Sequence, residues 1–242
     1  MELLKKRLNR FAYTAVVALI TVAMCGIFKG YEKVFPASAN LNSEALKTII
    51  IDPGHGGFDG GAVAADGTQE KSINLEIALR LQKTLQSLGF QVVLTRDTDK
   101  ALGSVSSTTA TNKQSDLNAR AAIMKQYPNA VFISIHQNKF EQSNQWGLQT
   151  FYKEGDEKAK LLGEEIQASV VTQLQPKNKR LSKPDNRKVF ILKNAVIPAV
   201  IVECGFISNP DDLKSLKSES YIGKLALCIS NGIINYFNVT ER

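Results

Sequence analysis

Residues 48–57 read Thr48-Ile49-Ile50-Ile51-Asp52-Pro53-Gly54-His55-Gly56-Gly57. Three successive isoleucines followed by an aspartate, a Pro-Gly pair and a histidine describe a strand buried on both faces that opens into a loop carrying polar chemistry. Val92-Val93-Leu94, Val131 to Ile135 and Ala199 to Val202 are continuous in the same way. A strand with one wet face alternates apolar and polar residues, so unbroken runs predict a parallel sheet covered on both sides. Helical spacing fills the intervals: Ile73, Ile77, Leu81, Leu85 and Leu88 share a face, as do Leu117, Ala121 and Met124. The C-terminal stretch repeats the pattern with Ile222, Leu225, Ala226, Ile229, Ile233 and Tyr236. Strand and helix in alternation predict an α/β fold over residues 46–239, a three-layer αβα domain with a mostly parallel central sheet. Arg96 to Ser115 and Gln173 to Lys188 are polar and aperiodic and read as loops. The second holds six basic residues against Asp185 alone, either a solvated loop or a rim that attracts an anionic polymer.

The remaining composition narrows the function. A chain of 242 residues with 43% hydrophobic residues can bury a full core, and three cysteines are too few for a disulfide framework. The net charge is +7, but six basic residues against two acidic ones place +4 of it in residues 1–39. The rest is only mildly basic, and with 7% aromatic residues the chain lacks the basic, aromatic-interleaved stripe of a nucleic-acid binder. Behind the basic start, Phe11 to Phe28 is an uncharged apolar run, the pattern of an export signal or an N-terminal membrane anchor. Ala37-Ser38-Ala39 has the small-x-small form of a cleavage site but lies far from Phe28, so cleaved signal and retained anchor both stand. Residues 1–39 are read as signal or anchor and linker, and the protein as exported to the cell envelope.

Only two histidines exist, His55 and His136, and each follows directly on an apolar strand. In open α/β sheets the loops beyond the carboxyl ends of the strands form the ligand crevice, so both imidazoles are expected at one edge. Glu70, just before the helix opened by Ser72, is the best-placed carboxylate to join them; by itself it would read as a helix-start charge favoured by the dipole. Two histidines and a glutamate with an open fourth position form the donor set of a catalytic zinc, whereas closed structural sites rely on cysteine. Such a site needs a proton carrier, and both imidazoles are then taken. Glu203 ends an apolar strand, where a charge is costly unless it has a partner or a task, and is the candidate general base and acid. Cys204 beside it is expected on the opposite face of the strand. A cysteine amidase using Cys204 with His136 is a weaker alternative, because a reactive thiolate needs a cationic neighbour or a helix N-terminus.

These residues lie in IIIDPGHGGFDGGA (49–62), LNARAAI (117–123), FISIHQN (132–138) and PAVIVECGFISNPDD (198–212). In these motifs, with Glu70 before the first helix, the sequence resembles the zinc-dependent N-acetylmuramoyl-L-alanine amidases of bacterial cell walls, from about Thr48 to the last helix. The resemblance implies one Zn²⁺ held by His55, Glu70 and His136, catalysis by Glu203, and peptidoglycan as substrate, cut between the lactyl group of N-acetylmuramic acid and L-alanine. Asn138 and Arg120 within the matching motifs are candidate substrate contacts. Where family members commonly carry small residues after the second histidine motif, this chain has Lys139 and Phe140. A single domain behind a membrane segment is similar to the CwlD-type amidases of spore-formers, which take part in making cortex muramic-δ-lactam. An activating protein partner is compatible with that resemblance. So is a catalytically weak peptidoglycan-binding module that acts through a partner.

Overall fold

The computed structural model describes residues 46–104 and 108–241. Strand β1 (Thr48–Pro53) leads to helix α1 (Glu70–Ser87), β2 (Gln91–Leu94), α2 (Thr109–Gln126), β3 (Val131–Asn138) and β4 (Gln149–Tyr152). Then follow α3 (Glu157–Gln173), β5 (Lys183–Pro184), the short α4 (Phe190–Lys193), β6 (Ala199–Phe206), α5 (Pro210–Leu216) and α6 (Glu219–Thr240). The strands form one sheet in the order β2-β1-β3-β6-β4-β5. β1 pairs in parallel with β2 and β3, and β3 with β6. β4 runs antiparallel to β6 and parallel to β5. The mostly parallel αβα fold expected from the sequence is present, with a reversed pair of strands at one edge.

The apolar runs divide between two cores. Ile49, Ile51, Ile133, Ile135, Val200 and Val202 pack with Ile73, Ile77, Leu81 and Leu85 of α1 and with the apolar faces of α3 and α6. Ile50, Phe132, Ala199 and Ile201 face the other way, against Ala121 and Met124 of α2 and Ile191 and Leu192 of α4. Successive strand residues point to opposite faces, and helices cover both, which is why the runs are continuous. All three isoleucines of β1 are fully buried, contributing about 1.5–3 kcal/mol each.

Several expectations shift in detail. α2 begins at Thr109, so the stretch through Ser115 expected as loop is partly helical. Its first turns face mostly solvent, and apolar spacing starts only at Leu117. The segment Gln173 to Lys188 contains the two-residue β5. Leu88 lies just past α1 and is 48% exposed, because the chain reverses at Gly89 with φ +88°. Glu70 is the first residue of α1 rather than its forerunner. The Phe11 to Phe28 run and the rest of residues 1–39 lie outside the described residues. Among the described residues no helix is long and apolar enough to cross a membrane.

α6 approaches α3 closely at Gly232, where an added Cβ would stand 2.5 Å from the Ile166 Cα and 2.8 Å from the Glu165 carbonyl oxygen. Gly223 of the same helix has nothing within 4 Å of that position. Gly232→Ala is expected to destabilise by about 1–3 kcal/mol, whereas Gly223→Ala stabilises by about 0.5–1 kcal/mol. Chemical denaturation of the two variants side by side measures both.

Candidate metal centre and catalytic residues

β1, β3 and β6 end at the same edge of the sheet, and the polar residues at their ends meet there. Asp52, the first charged residue of β1, is 2% exposed. It accepts hydrogen bonds from Thr95 Oγ1 at 2.6 Å and Ser134 Oγ at 2.7 Å, and it pairs with Arg120 Nη1. Burial alone would raise its pKa, but the Arg120 guanidinium and the two hydroxyls outweigh burial and hold the carboxyl below its ordinary range. Arg120 is 3% exposed and also pairs with Asp116 at 2.6 Å, donating further to the carbonyls of Pro53 (2.9 Å) and His55 (2.7 Å). Arg96, buried to 1%, donates to Pro53 (2.9 Å), His55 (2.7 Å) and Gly54 (3.0 Å). Two guanidiniums thus fix three successive carbonyls. They hold His55 at φ +62°, a left-handed conformation that few non-glycine residues adopt.

Fixed in this way, His55 faces Glu70. His55 Nε2 lies 3.3 Å from Glu70 Oε2, and its Nδ1 is bonded to Asp59 Oδ2 at 2.9 Å. His136 Nδ1 lies 2.9 Å from Glu70 Oε1. The two rings stand edge to face with centroids 5.0 Å apart. Gly54 permits this approach: a Cβ there would fall 2.3 Å from His136 Nε2. Glu70 itself is buried and further held by the backbone amides of Ala62 (2.9 Å) and Gln137 (3.0 Å) and by Asn74 Nδ2 (3.3 Å). Burial opposes its charge, yet the two imidazoles outweigh burial and hold its carboxyl well below the ordinary range. For His55, burial pushes down, but the hydrogen bonds to Asp59 and Glu70 win and the pKa rises to about 9. One ligand atom from each of His55, Glu70 and His136 lies within 4.8 Å of the others. Two imidazoles and a carboxylate, with no cysteine in the group, fit a catalytic divalent ion of the zinc type. Asp59 on the far nitrogen of His55 is the outer carboxylate that such ligands commonly carry.

Glu203 stands beside this group. It is the register partner of His136 across β3 and β6, so the two side chains are neighbours on one face. Its Oε1 accepts from Arg187 Nη1 at 3.2 Å, while its Oε2 is buried with no hydrogen-bond partner among the described residues. Burial raises its pKa, opposed by His136 and Arg187. Arg187 is held in turn by Asp185 at 3.0 Å and lies over the Phe151 ring at 4.5 Å. A cavity of about 160 Å³ opens beside both histidines, between α2 and residues 189–191. Cys204 points to the opposite face, into the core, and burial pushes its thiol far up.

The sequence-based candidates therefore separate by place. His55, Glu70, His136 and Glu203 come together. Arg120 lines the cavity beside both histidines, and its guanidinium supports the histidine loop through Asp52, Asp116 and two carbonyls. Asn138, half-buried at the end of β3, accepts the Lys139 amide at 3.0 Å on its side chain. Lys139 reaches the Val63 carbonyl at 2.9 Å, and Phe140, 52% exposed, packs at 5.9 Å against Phe206. Arg96, Asp59 and Arg187 went unseen in the sequence. Arg96 and Arg187 fell in aperiodic polar stretches, and the only cue for Asp59 was its place in the glycine-rich loop after His55.

The family profile of N-acetylmuramoyl-L-alanine amidases matches residues 49–235. The chain belongs to this family. The germination-specific N-acetylmuramoyl-L-alanine amidase of Bacillus subtilis (strain 168) is 33% identical over 201 residues, 81% of either chain. The amidase LytC of the same organism is 32% identical over 193 residues, which cover 79% of this chain and 36% of that longer protein. The solved CwlD amidase of Clostridioides difficile, in complex with the GerS lipoprotein, superposes with a TM-score of 0.77 at 40% identity, covering 80% of this chain and 99% of that one. The reaction of this amidase is hydrolysis of the bond between the lactyl group of N-acetylmuramic acid and L-alanine in peptidoglycan.

Removing one partner of a buried ion pair leaves an uncompensated charge. Asp52→Asn is expected to cost about 3–5 kcal/mol of stability near neutral pH. The folded-state pKa of Asp52 is depressed, so its contribution is present above about pH 4 and disappears as pH falls through the acid range. Urea unfolding of wild type and variant at pH 7 and in acid should show the gap closing on the acid side.

Proposed function

We propose that this amidase is a zinc hydrolase in which His55, Glu70 and His136 hold one Zn²⁺ and Glu203 is the general base and acid. The observation that carries the reading is the convergence of the three ligand atoms within 4.8 Å beside a buried glutamate that has one oxygen without a partner. When bound, zinc supplies Lewis-acid polarisation of the scissile carbonyl and makes water acidic enough to be a nucleophile near neutral pH.

The chain's own residues do the rest. Glu203, with its pKa raised by burial, takes a proton from the attacking water on Oε2 and delivers it to the alanine nitrogen as the C–N bond breaks, so that the amine leaves neutral. Arg187 holds Oε1 and so fixes which oxygen is left to act. Asp59 orients the His55 ring through Nδ1. Arg120 and Arg96 keep the loop that carries His55 in place. Asn138 and the exposed Phe140 stand at the rim as candidate substrate contacts. The cysteine alternative loses its support, because Cys204 is 1% exposed on the other face of β6.

The similarity to the germination-specific amidase and to the CwlD structure supports a place in spore-cortex maturation, and the GerS complex supports a lipoprotein or other exported partner. The Phe11 to Phe28 run would deliver the domain to the envelope, as signal or as anchor.

Glu203→Gln is expected to bind one zinc per chain like wild type and to lose activity by about 10²–10⁴-fold. Metal analysis together with mass spectrometry of digested peptidoglycan reads both quantities, and near-normal turnover in that variant would sink the assignment. Treatment of wild type with a chelator should abolish hydrolysis, and added Zn²⁺ should restore it.

A further inference from the structure

The reversed strand β4 brings a second cation to the edge of the site. Because β4 is antiparallel to β6, its first residue Gln149 lies opposite Glu203 in the register. Gln149 Oε1 accepts from Arg180 Nη1 at 3.2 Å. Arg180 precedes β5, and its guanidinium lies over the Phe206 ring at 4.5 Å. It also donates through Nε to the Trp146 carbonyl at 2.9 Å and through Nη2 to Gln145 Oε1. All three acceptors are neutral, and among the described residues no carboxylate pairs with this arginine. Asp212, the nearby acid, has one oxygen committed at 2.8 Å to the amides of both Gly147 and Phe206. Each terminal nitrogen of Arg180 keeps an N–H without a partner among the described residues.

A half-buried guanidinium with no direct carboxylate partner is costly, and burial pulls its pKa down more than the nearby Asp212 charge lifts it. Arg187, one strand nearer the proton carrier, is by contrast paired with both Asp185 and Glu203. The segment that carries Arg180 also holds exposed Lys177 and Lys179, so basic residues outnumber the neighbouring acids Glu164 and Asp212 around it. Stacked on a ring and held on three sides, the guanidinium is pre-organised to receive a planar carboxylate.

The distance suits the substrate. Gln149 is one strand spacing from Glu203 and Arg180 lies just beyond, on the order of 5–10 Å from the reacting bond, while an extended peptide advances about 3.3 Å per residue. The glutamate that follows L-alanine in a peptidoglycan stem is joined through its side-chain carboxyl, so its α-carboxyl is either free or amidated. We propose that Arg180 forms a subsite for a free carboxylate of the stem peptide, within the first few residues after the scissile amide. This rests on the amidase reading above and adds a specificity determinant to it.

The test compares two soluble glycan-linked stem peptides that differ only in whether that glutamate carries a free α-carboxylate or its amide, using the zinc-loaded full chain. Wild type should favour the free acid. Arg180→Gln should lower kcat/KM for the free acid about tenfold or more, mainly through KM, and leave the amidated substrate within about twofold. Arg180→Lys should retain part of the preference, since it keeps the charge and loses the planar fork. Equal losses on both substrates would mean a merely structural role and would overturn the proposal, as would an unchanged ratio. Failure of wild type to cleave either substrate would count against the amidase reading instead. Calorimetric binding of the L-Ala-γ-D-Glu dipeptide and its α-amide then decides the subsite alone: equal affinities in wild type and Arg180→Gln would refute it.

Discussion

The buried ion pair between Asp52 and Arg120, with Arg96 beside it, is the constraint on which the site is built. A sheet edge offers carbonyls with no partner strand beyond it, and a loop leaving that edge would ordinarily be free to move. Here two guanidiniums take the carbonyls of Pro53, Gly54 and His55, and Asp52 offsets the charge. Such a buried pair is poor at adding net stability but strict about geometry, since its desolvation is compensated only in one arrangement. The return is a histidine held in a left-handed conformation that local preference alone would not select.

Two glutamates at the same edge are driven in opposite directions. Glu70, between two imidazoles and two backbone amides, has its pKa held down, whereas Glu203, buried with Arg187 on one oxygen and no partner for the other among the described residues, has its pKa raised. Residue type is identical, so environment alone drives their protonation equilibria apart, as the proposed division between a metal ligand and a proton carrier requires. The surrounding apolar residues contribute by excluding water, which strengthens each of these interactions.

The legible parts of the sequence were those where a residue contradicts its surroundings. Ile49 to Ile51 and Ala199 to Val202 announced strands covered on both faces, and a glutamate at the end of the second is costly there without a partner or a task. His55 and His136 were conspicuous by rarity and by position. β4 was hidden because Gln149 and Thr150 are polar, and what satisfies them in the interior comes from elsewhere in the chain. The Thr150 amide donates to Gln167 of α3 at 2.9 Å, its hydroxyl donates to the Gly163 carbonyl at 2.9 Å, and Gln149 donates to the Leu181 carbonyl at 2.9 Å. The start of α2 was hidden because its first turns face water. Arg96 and Arg187 act on residues far away in sequence, and no local pattern records such pairings.

The direction of β4 gives the domain a division of labour. The candidate ligand set comes from the ends of β1 and β3 and the start of α1, all on one side of β6. The connections that begin β4 and β5 arrive at the same edge from the other side, bringing Gln145, Trp146 and Arg180. Those connections can lengthen, shorten or change charge without altering the backbone that carries the ligands. With the proposed Arg180 subsite there, chemistry and selectivity would be separable within one small sheet, and a lineage could acquire a new preference for wall composition while its hydrolytic core stays as it was.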